Sequence, residues 1–161
     1  MNLEQVNAFL ERIPHAFAED DPHSDQKSLE QSNIAALLAV YNAVKDGDFQ
    51  TLYNAFTFDV TLENIGSPDL NMIGSWSGRD AVLEATANNY AQVKNQIPTL
   101  HRIVAQGDMV VVFAEETGTH TATQKTYTSH WVQQFTFQEG KIARIWQIGY
   151  VSAMEPITSA R

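Results

Sequence analysis

The sequence predicts an α+β domain in which a largely antiparallel sheet curls over a group of helices. Two observations predict it. Apolar residues recur at a helical period before Pro98 and alternate with polar ones after it. The helical segments also come first as a block, and the late strands follow one another through compact turns, which is the order of a meander packed on helices.

Leu3, Val6, Leu10, Ile13 and Phe17 form one helical stripe over residues 2–17, interrupted by Pro14. Ala18 to Ser32, AEDDPHSDQKSLEQS, is polar and reads as a linker, so residues 1–32 are expected to be a helical arm and its tether. The main body, residues 33–152, then opens on Asn33, a fitting N-cap for IAALLAVYNAVKD. Ile34, Leu37, Leu38, Tyr41 and Val44 are its buried stripe, and Gly47 ends it. Asp48 caps a short second helix, FQTLYNAF, and Phe58 to Ile65 alternates as a strand. GSPDLNMIGSWS reads as a long loop, after which Ser77 or Gly78 opens the helix GRDAVLEATANNYAQV with Ala81, Val82, Ala85 and Tyr90 inward. Thr99–Gln106, Met109–Thr121, Tyr127–Gln138 and Lys141–Val151 are rich in β-branched and aromatic residues and read as strands. Gly107-Asp108 and Glu139-Gly140 are the tight turns, and residues 153–161 are left as a tail.

The 161 residues, 43% of them apolar, suit one domain with one core. Ten Lys plus Arg against 19 Asp plus Glu give a net charge of −9, which argues against nucleic acid and anionic membranes as partners. The absence of cysteine excludes disulfides, thiolate nucleophiles and cysteine-held metals. No apolar run approaches the roughly 20 residues of a membrane helix. MNLEQVNAFLER lacks the basic start of a signal peptide, so a cytoplasmic protein is expected.

Three stretches carry a resemblance: LLAVYNAVKDGDFQTLYNAFTFDVTLEN, WSGRDAV opening the third body helix, and FTFQEGKIARIWQIGY across the last hairpin. In this order the chain resembles the nuclear-transport-factor-2-like superfamily, over Asn33 to about Ser152, 120 of 161 residues. That group includes ketosteroid isomerase, SnoaL-like polyketide cyclases, limonene-epoxide hydrolase and scytalone dehydratase. The resemblance implies a cone-shaped, cystatin-like curved sheet, antiparallel or mixed, wrapped over three helices, with an extra N-terminal helix here. It also implies an apolar pocket for one small hydrophobic molecule.

The catalytic positions implied by the resemblance depart one after another. Ketosteroid isomerase uses an Asp base with a Tyr and a protonated Asp as oxyanion donors. The base position falls on Asn64, whose amide cannot abstract a proton, the second Asp on Gln133, and the Tyr near Val40, beside Tyr41. The cyclase carboxylate, four residues after a Trp, falls on Tyr150 after Trp146. A phenol with pKa near ~10 is a poor base at neutral pH. Scytalone dehydratase is similar in placing one His early on the second strand and another late on the third, and these fall on His101 and His120. Its fourth-strand Asn falls on Gln133, and its first-helix Tyr-Asp pair around Asn42–Ala43 matches poorly.

His101 and His120 are therefore candidates for an acid/base pair, imidazole being able to take and give a proton near neutrality. The alternative is two strand histidines, one hydrogen-bonded in the wall and one exposed. Glu116 shares the parity of His120, but no ligand-spaced cluster exists, so no metal and no cofactor are expected. Asn64 and Gln133 either hold a substrate oxygen or satisfy each other across the cone floor. Tyr41, Trp131, Trp146 and Tyr150 are candidate substrate contacts or core, and Trp76 a contact from a lid-like loop. Glu115 and Glu116, being adjacent on a strand, face opposite ways.

The N-terminal stripe, and a convex face expected to carry Val132 and Ile145, favour a homodimer. The expected function is that of a cofactor-independent lyase or isomerase, dehydratase- or cyclase-like, acting on a hydrophobic oxygenated or polyketide-like substrate. The alternative is a non-catalytic ligand-binding module of the same fold.

Overall fold

The computed structural model describes residues 24–66 and 72–156. The expected helix at residues 2–17 lies outside them. Helix α1 (Ser24–Asp46) and helix α2 (Phe49–Ala55) lead into strand β1 (Phe56–Gly66). Strand β2 (Gly74–Ser77) and helix α3 (Arg79–Ala91) follow, and then β3 (Val93–Gln106), β4 (Met109–His120), β5 (Lys125–Gln138) and β6 (Lys141–Pro156). The six strands form one sheet in the order β2-β1-β6-β5-β4-β3. Every pairing is antiparallel except β1 with β6, so the sheet is mixed.

Helix α1 starts nine residues before its expected cap, and much of the expected linker is helix. Polar residues hold it there. Gln26 donates to Glu30 at 3.0 Å within the helix. Glu30 in turn accepts the Gly107 N–H at 2.8 Å, and Asn33 Nδ2 donates to the Gly107 carbonyl at 3.3 Å. Asn33 is thus a buried clamp on the β3–β4 turn rather than an N-cap. Gly47 (φ +69°) ends α1, and Asp48 caps α2 by accepting from Thr51 N at 3.0 Å and Thr51 Oγ1 at 2.5 Å.

Two segments read as loop or tail are strand. Trp76 sits on β2, opposite Leu62, not in a lid-like loop. β6 runs to Pro156, pairing residues 153–156 with residues 125–128. β3 also begins earlier than expected and tolerates Pro98 because it is an edge strand, where one side needs no ladder donor.

The helices cover one face of the sheet. Leu37 of α1, Leu52 of α2 and Val82 of α3 meet Val60, Val110, Val112 and Ile142 from the strands, all nearly or fully buried. Ile145 belongs to this inner core and not to the outer face. The sheet's inner face is therefore apolar at its centre, and its polar members are few enough to follow one by one.

Candidate functional site

Strand register fixes which side chains share the inner face. One cross-strand row runs Asn64, Gln147, Gln133 and Val112 over β1, β6, β5 and β4. Three amides side by side in an apolar face need partners. Gln133 has two: its Oε1 accepts from the Tyr41 hydroxyl at 2.7 Å, and its Nε2 donates to Gln147 Oε1 at 2.6 Å. Burial, and secondarily Tyr90, push the Tyr41 phenol well above its ordinary pKa, so it stays a donor. Asn64 ends the row. It is 8% exposed, and its Oδ1 is buried with no hydrogen-bond partner among the described residues.

The next row along is Ala114, Trp131 and Gly149. Small residues flank the indole on both neighbouring strands, and a Cβ at Gly149 would lie 3.4 Å from that of Trp131. Tyr41 meets the Trp131 ring edge-on, with centroids 6.4 Å apart. Trp76, inward from β2, packs partly buried against the same core.

One row further are Glu116 and Ser129. Glu116 lies four residues from Val112, about 13 Å along β4. Its Oε1 accepts from the Tyr127 hydroxyl at 2.5 Å and from Gln96 Nε2 at 3.2 Å. Its Oε2 has no partner among the described residues and is not fully buried. Burial foremost, then the bond to Glu116, push the Tyr127 phenol far up. Tyr90 keeps 42% of its surface, and partial burial together with the Glu116 charge pushes its phenol up to about 12. Tyr127 fits only because Gly118 faces it, since a Cβ there would come within 2.7 Å of its hydroxyl. A depression of about 360 Å³ reaches Tyr127 and Gly118 from the end of the sheet, away from the amide row.

The pattern of the SnoaL-like domain matches residues 37–145, two thirds of the sequence and all the rows just described except Gln147 and Gly149. The chain belongs to the SnoaL-like domain family. No curated protein sequence matches this SnoaL-like chain. Solved structures do. An NTF2-like protein from Burkholderia xenovorans is 22% identical with a TM-score of 0.64, covering 74% of this chain and 90% of its own. An LEH-like epoxide hydrolase from M. tuberculosis is 20% identical with a TM-score of 0.60, covering 76% and 84%. A Jannaschia protein described as a SnoaL-like polyketide cyclase is 15% identical with a TM-score of 0.67, covering 83% and 91%. At these identities the likeness is one of fold.

The residues singled out from the SnoaL-like sequence divide between two faces. Tyr41, Asn64, Trp76, Trp131 and Gln133 come together on the inner face. Trp146 and Tyr150 do not. They share the outer face with Arg144, which pairs with Glu63 at 3.8 Å, and Tyr150 stacks on His130 at 5.1 Å. His130 in turn meets Glu115 at 3.5 Å, so Glu115 and Glu116 do face opposite ways. His101 is the extra residue of a β-bulge, opposite Phe113 with Arg102, and it is exposed. His120 lies at the end of β4 and contacts Thr123 at 3.0 Å. About 20 Å of strand separates the two imidazoles, so they form no acid/base pair.

Asn64 and Gln133 do not satisfy each other, because Gln147 stands between them. Gln147 and Glu116 were the functional candidates that sequence reasoning left aside. Gln147 shares the parity of Ile145 and Gly149, a weaker signal than its large apolar neighbours Trp146 and Ile148 on the other face. Among the described residues no three His, Asp or Glu side chains gather.

Proposed function

We propose that the inner face binds a small, hydrophobic, oxygenated molecule, and that the protein is a cofactor-independent lyase or isomerase of the SnoaL-like kind. The observation that carries this is Asn64 Oδ1, a buried acceptor without a donor among the described residues, at the end of an amide row whose other carbonyl oxygens are bonded. A buried unpaired acceptor costs about 1–3 kcal/mol, a cost that a bound hydroxyl removes. Gln147 Nε2, beside it and without a partner among the described residues, supplies a donor for a carbonyl. Trp131, flanked by Ala114 and Gly149, offers a flat apolar surface for a ring. The relatives described as a polyketide cyclase and an epoxide hydrolase support an oxygenated substrate. The second reading, a binding module without turnover, is favoured by the neutrality of the amide row and the separation of the two histidines.

Tryptophan fluorescence tests the pocket. Titration with α-tetralone, a ring ketone of suitable size, should quench emission in the parent protein. Trp131→Phe should remove most of the quenching and Trp146→Phe little of it. Equal loss from Trp146→Phe would move the site to the outer face.

We also propose that a second copy of the chain covers the outer face. Ile65, Ile148, Val132 and Phe113 stand in one cross-strand row there, and three of them are more than two-fifths exposed. A contiguous apolar row of this kind is costly to leave in water.

A further inference from the structure

We propose that Glu116, with the rings of Tyr90 and Trp131, forms a site for an organic ammonium ion on the inner face. The site is separate from the Asn64–Gln147 anchor and does not depend on a ligand there. That anchor lies two rows along the sheet and two to three strands across it. Glu116 is the one charged side chain in the three inner-face rows among the described residues. Gln96 and Tyr127 both donate to its Oε1, while its Oε2 is unbonded and not fully buried. Both donors are neutral, so the carboxylate is held in place without being neutralised. A fixed, partly desolvated anion of this kind favours a cation as its partner.

The surroundings select the kind of cation. One carboxylate does not make a metal site: hard cations take about six oxygen ligands, and no three His, Asp or Glu side chains gather among the described residues. Aromatic rings stand there instead. Trp131 is opposite Ala114, so Glu116, two residues further along β4, is its diagonal neighbour on the same face, about 7–8 Å away. Tyr90 approaches from α3. Just beyond it the Gln92 carbonyl accepts the Thr121 N–H at 2.8 Å and Val93 pairs with His120, which docks this end of α3 beside the end of β4. Tyr90 feels the Glu116 charge, and it keeps 42% of its surface although burial is the first cause of its raised phenol pKa. A ring both reachable and crowded by protein atoms stands in the wall of a concavity. A cation held between these rings and Oε2 is attracted by the ring faces and the carboxylate together. An alkylammonium with at least one N–H fits best: the N–H donates to Oε2, and the N-alkyl groups lie against Tyr90 and Trp131. The net charge of −9 draws such ions toward the protein.

Benzyldimethylamine, protonated at neutral pH, and benzyl methyl ether, uncharged and of similar shape, are the probes, and calorimetric titration reads their binding. The parent protein should bind the amine about tenfold or more tightly than the ether, the margin of a hydrogen bond to a charged group. Added salt should weaken binding of the amine alone. Glu116→Gln should lose that margin and leave ether binding as it was. Tyr90→Leu keeps the carboxylate and should weaken amine binding about 2- to 30-fold, the range of a cation–π contact. It replaces a partly exposed ring, so it carries the test if Glu116→Gln does not fold. Glu115→Gln, on the outer face, should leave amine affinity unaltered. Equal binding of amine and ether by the parent protein, or no binding of the amine, overturns the proposal. So does an unchanged amine affinity in folded Glu116→Gln or in Tyr90→Leu. Loss of amine affinity in Glu115→Gln moves the cation to the outer face and overturns it as well.

Discussion

The Tyr41 hydroxyl donates to Gln133 Oε1 across 2.7 Å, tying the middle of α1 to the centre of β5. The bond joins residues 92 positions apart in sequence, and it orients Gln133 so that its Nε2 meets Gln147. Tyr41→Phe leaves the Gln133 oxygen unpaired and should cost about 1–3 kcal/mol in urea unfolding. Gln133→Leu should cost a similar amount. The double variant should cost less than the two together, because neither partner is then left orphaned. Strict additivity would mean that the two groups do not interact.

His101→Gln should change stability by no more than about 0.5 kcal/mol and leave ligand affinity unaltered. The residue is exposed on a bulge and bonds no described side chain. A large loss of affinity in a fluorescence titration would return His101 to the pocket wall.

Asp48 gives α2 a pH-dependent cap. The Thr51 hydroxyl, then the Thr51 N–H, hold its carboxyl below the ordinary carboxylate range. A depressed folded pKa means the stabilisation is complete above the unfolded value, ~3.9, and is lost as pH falls through the folded value. Thermal melts should therefore show Asp48→Ala less stable than the parent protein at neutral pH. The gap should narrow as the pH drops below the ordinary Asp range. A gap that stays constant with pH would remove the charge from the explanation.

Ile148→Glu should break self-association through the outer face, since it puts a charge in the middle of the Ile65–Ile148–Val132 row. Sedimentation should give twice the chain mass of 18.0 kDa for the parent protein and a single chain mass for the variant. A parent protein that sediments as a single chain at micromolar concentration contradicts the proposed pairing.

Much of the fold was legible because periodicity reports burial. The switch after Pro98 marked the four late strands, and Gly47-Asp48 marked the break between α1 and α2. The start of α1 was not legible, because its stability comes from Glu30 and Asn33 reaching a turn more than 70 residues away. β2 was hidden in a turn-rich stretch, being four residues long and held by pairing with β1.

Within the site, strand parity placed Asn64, Gln133 and Trp131 correctly relative to one another. It failed at His101, where a bulge between Leu100 and Arg102 shifts the phase so that Leu100 and Ile103 both pack inward. It failed differently on β6. There the large side chains Trp146, Ile148 and Tyr150 face outward, and the inner face carries Gln147 and Gly149. Size suggested the wrong face, because this sheet keeps apolar surface on both sides.

We predict that the row Asn64–Gln147–Gln133 receives a ligand oxygen. Side-chain amide resonances of these three residues, followed by NMR during titration with α-tetralone and with its deoxygenated analogue tetralin, test it most directly. The ketone should shift Asn64 and Gln147 strongly and leave Gln134, on the outer face, unmoved, while tetralin binds more weakly and shifts the amides little. Equal shifts from the two compounds, or shifts centred on Gln134, would rule out an oxygen site at this row.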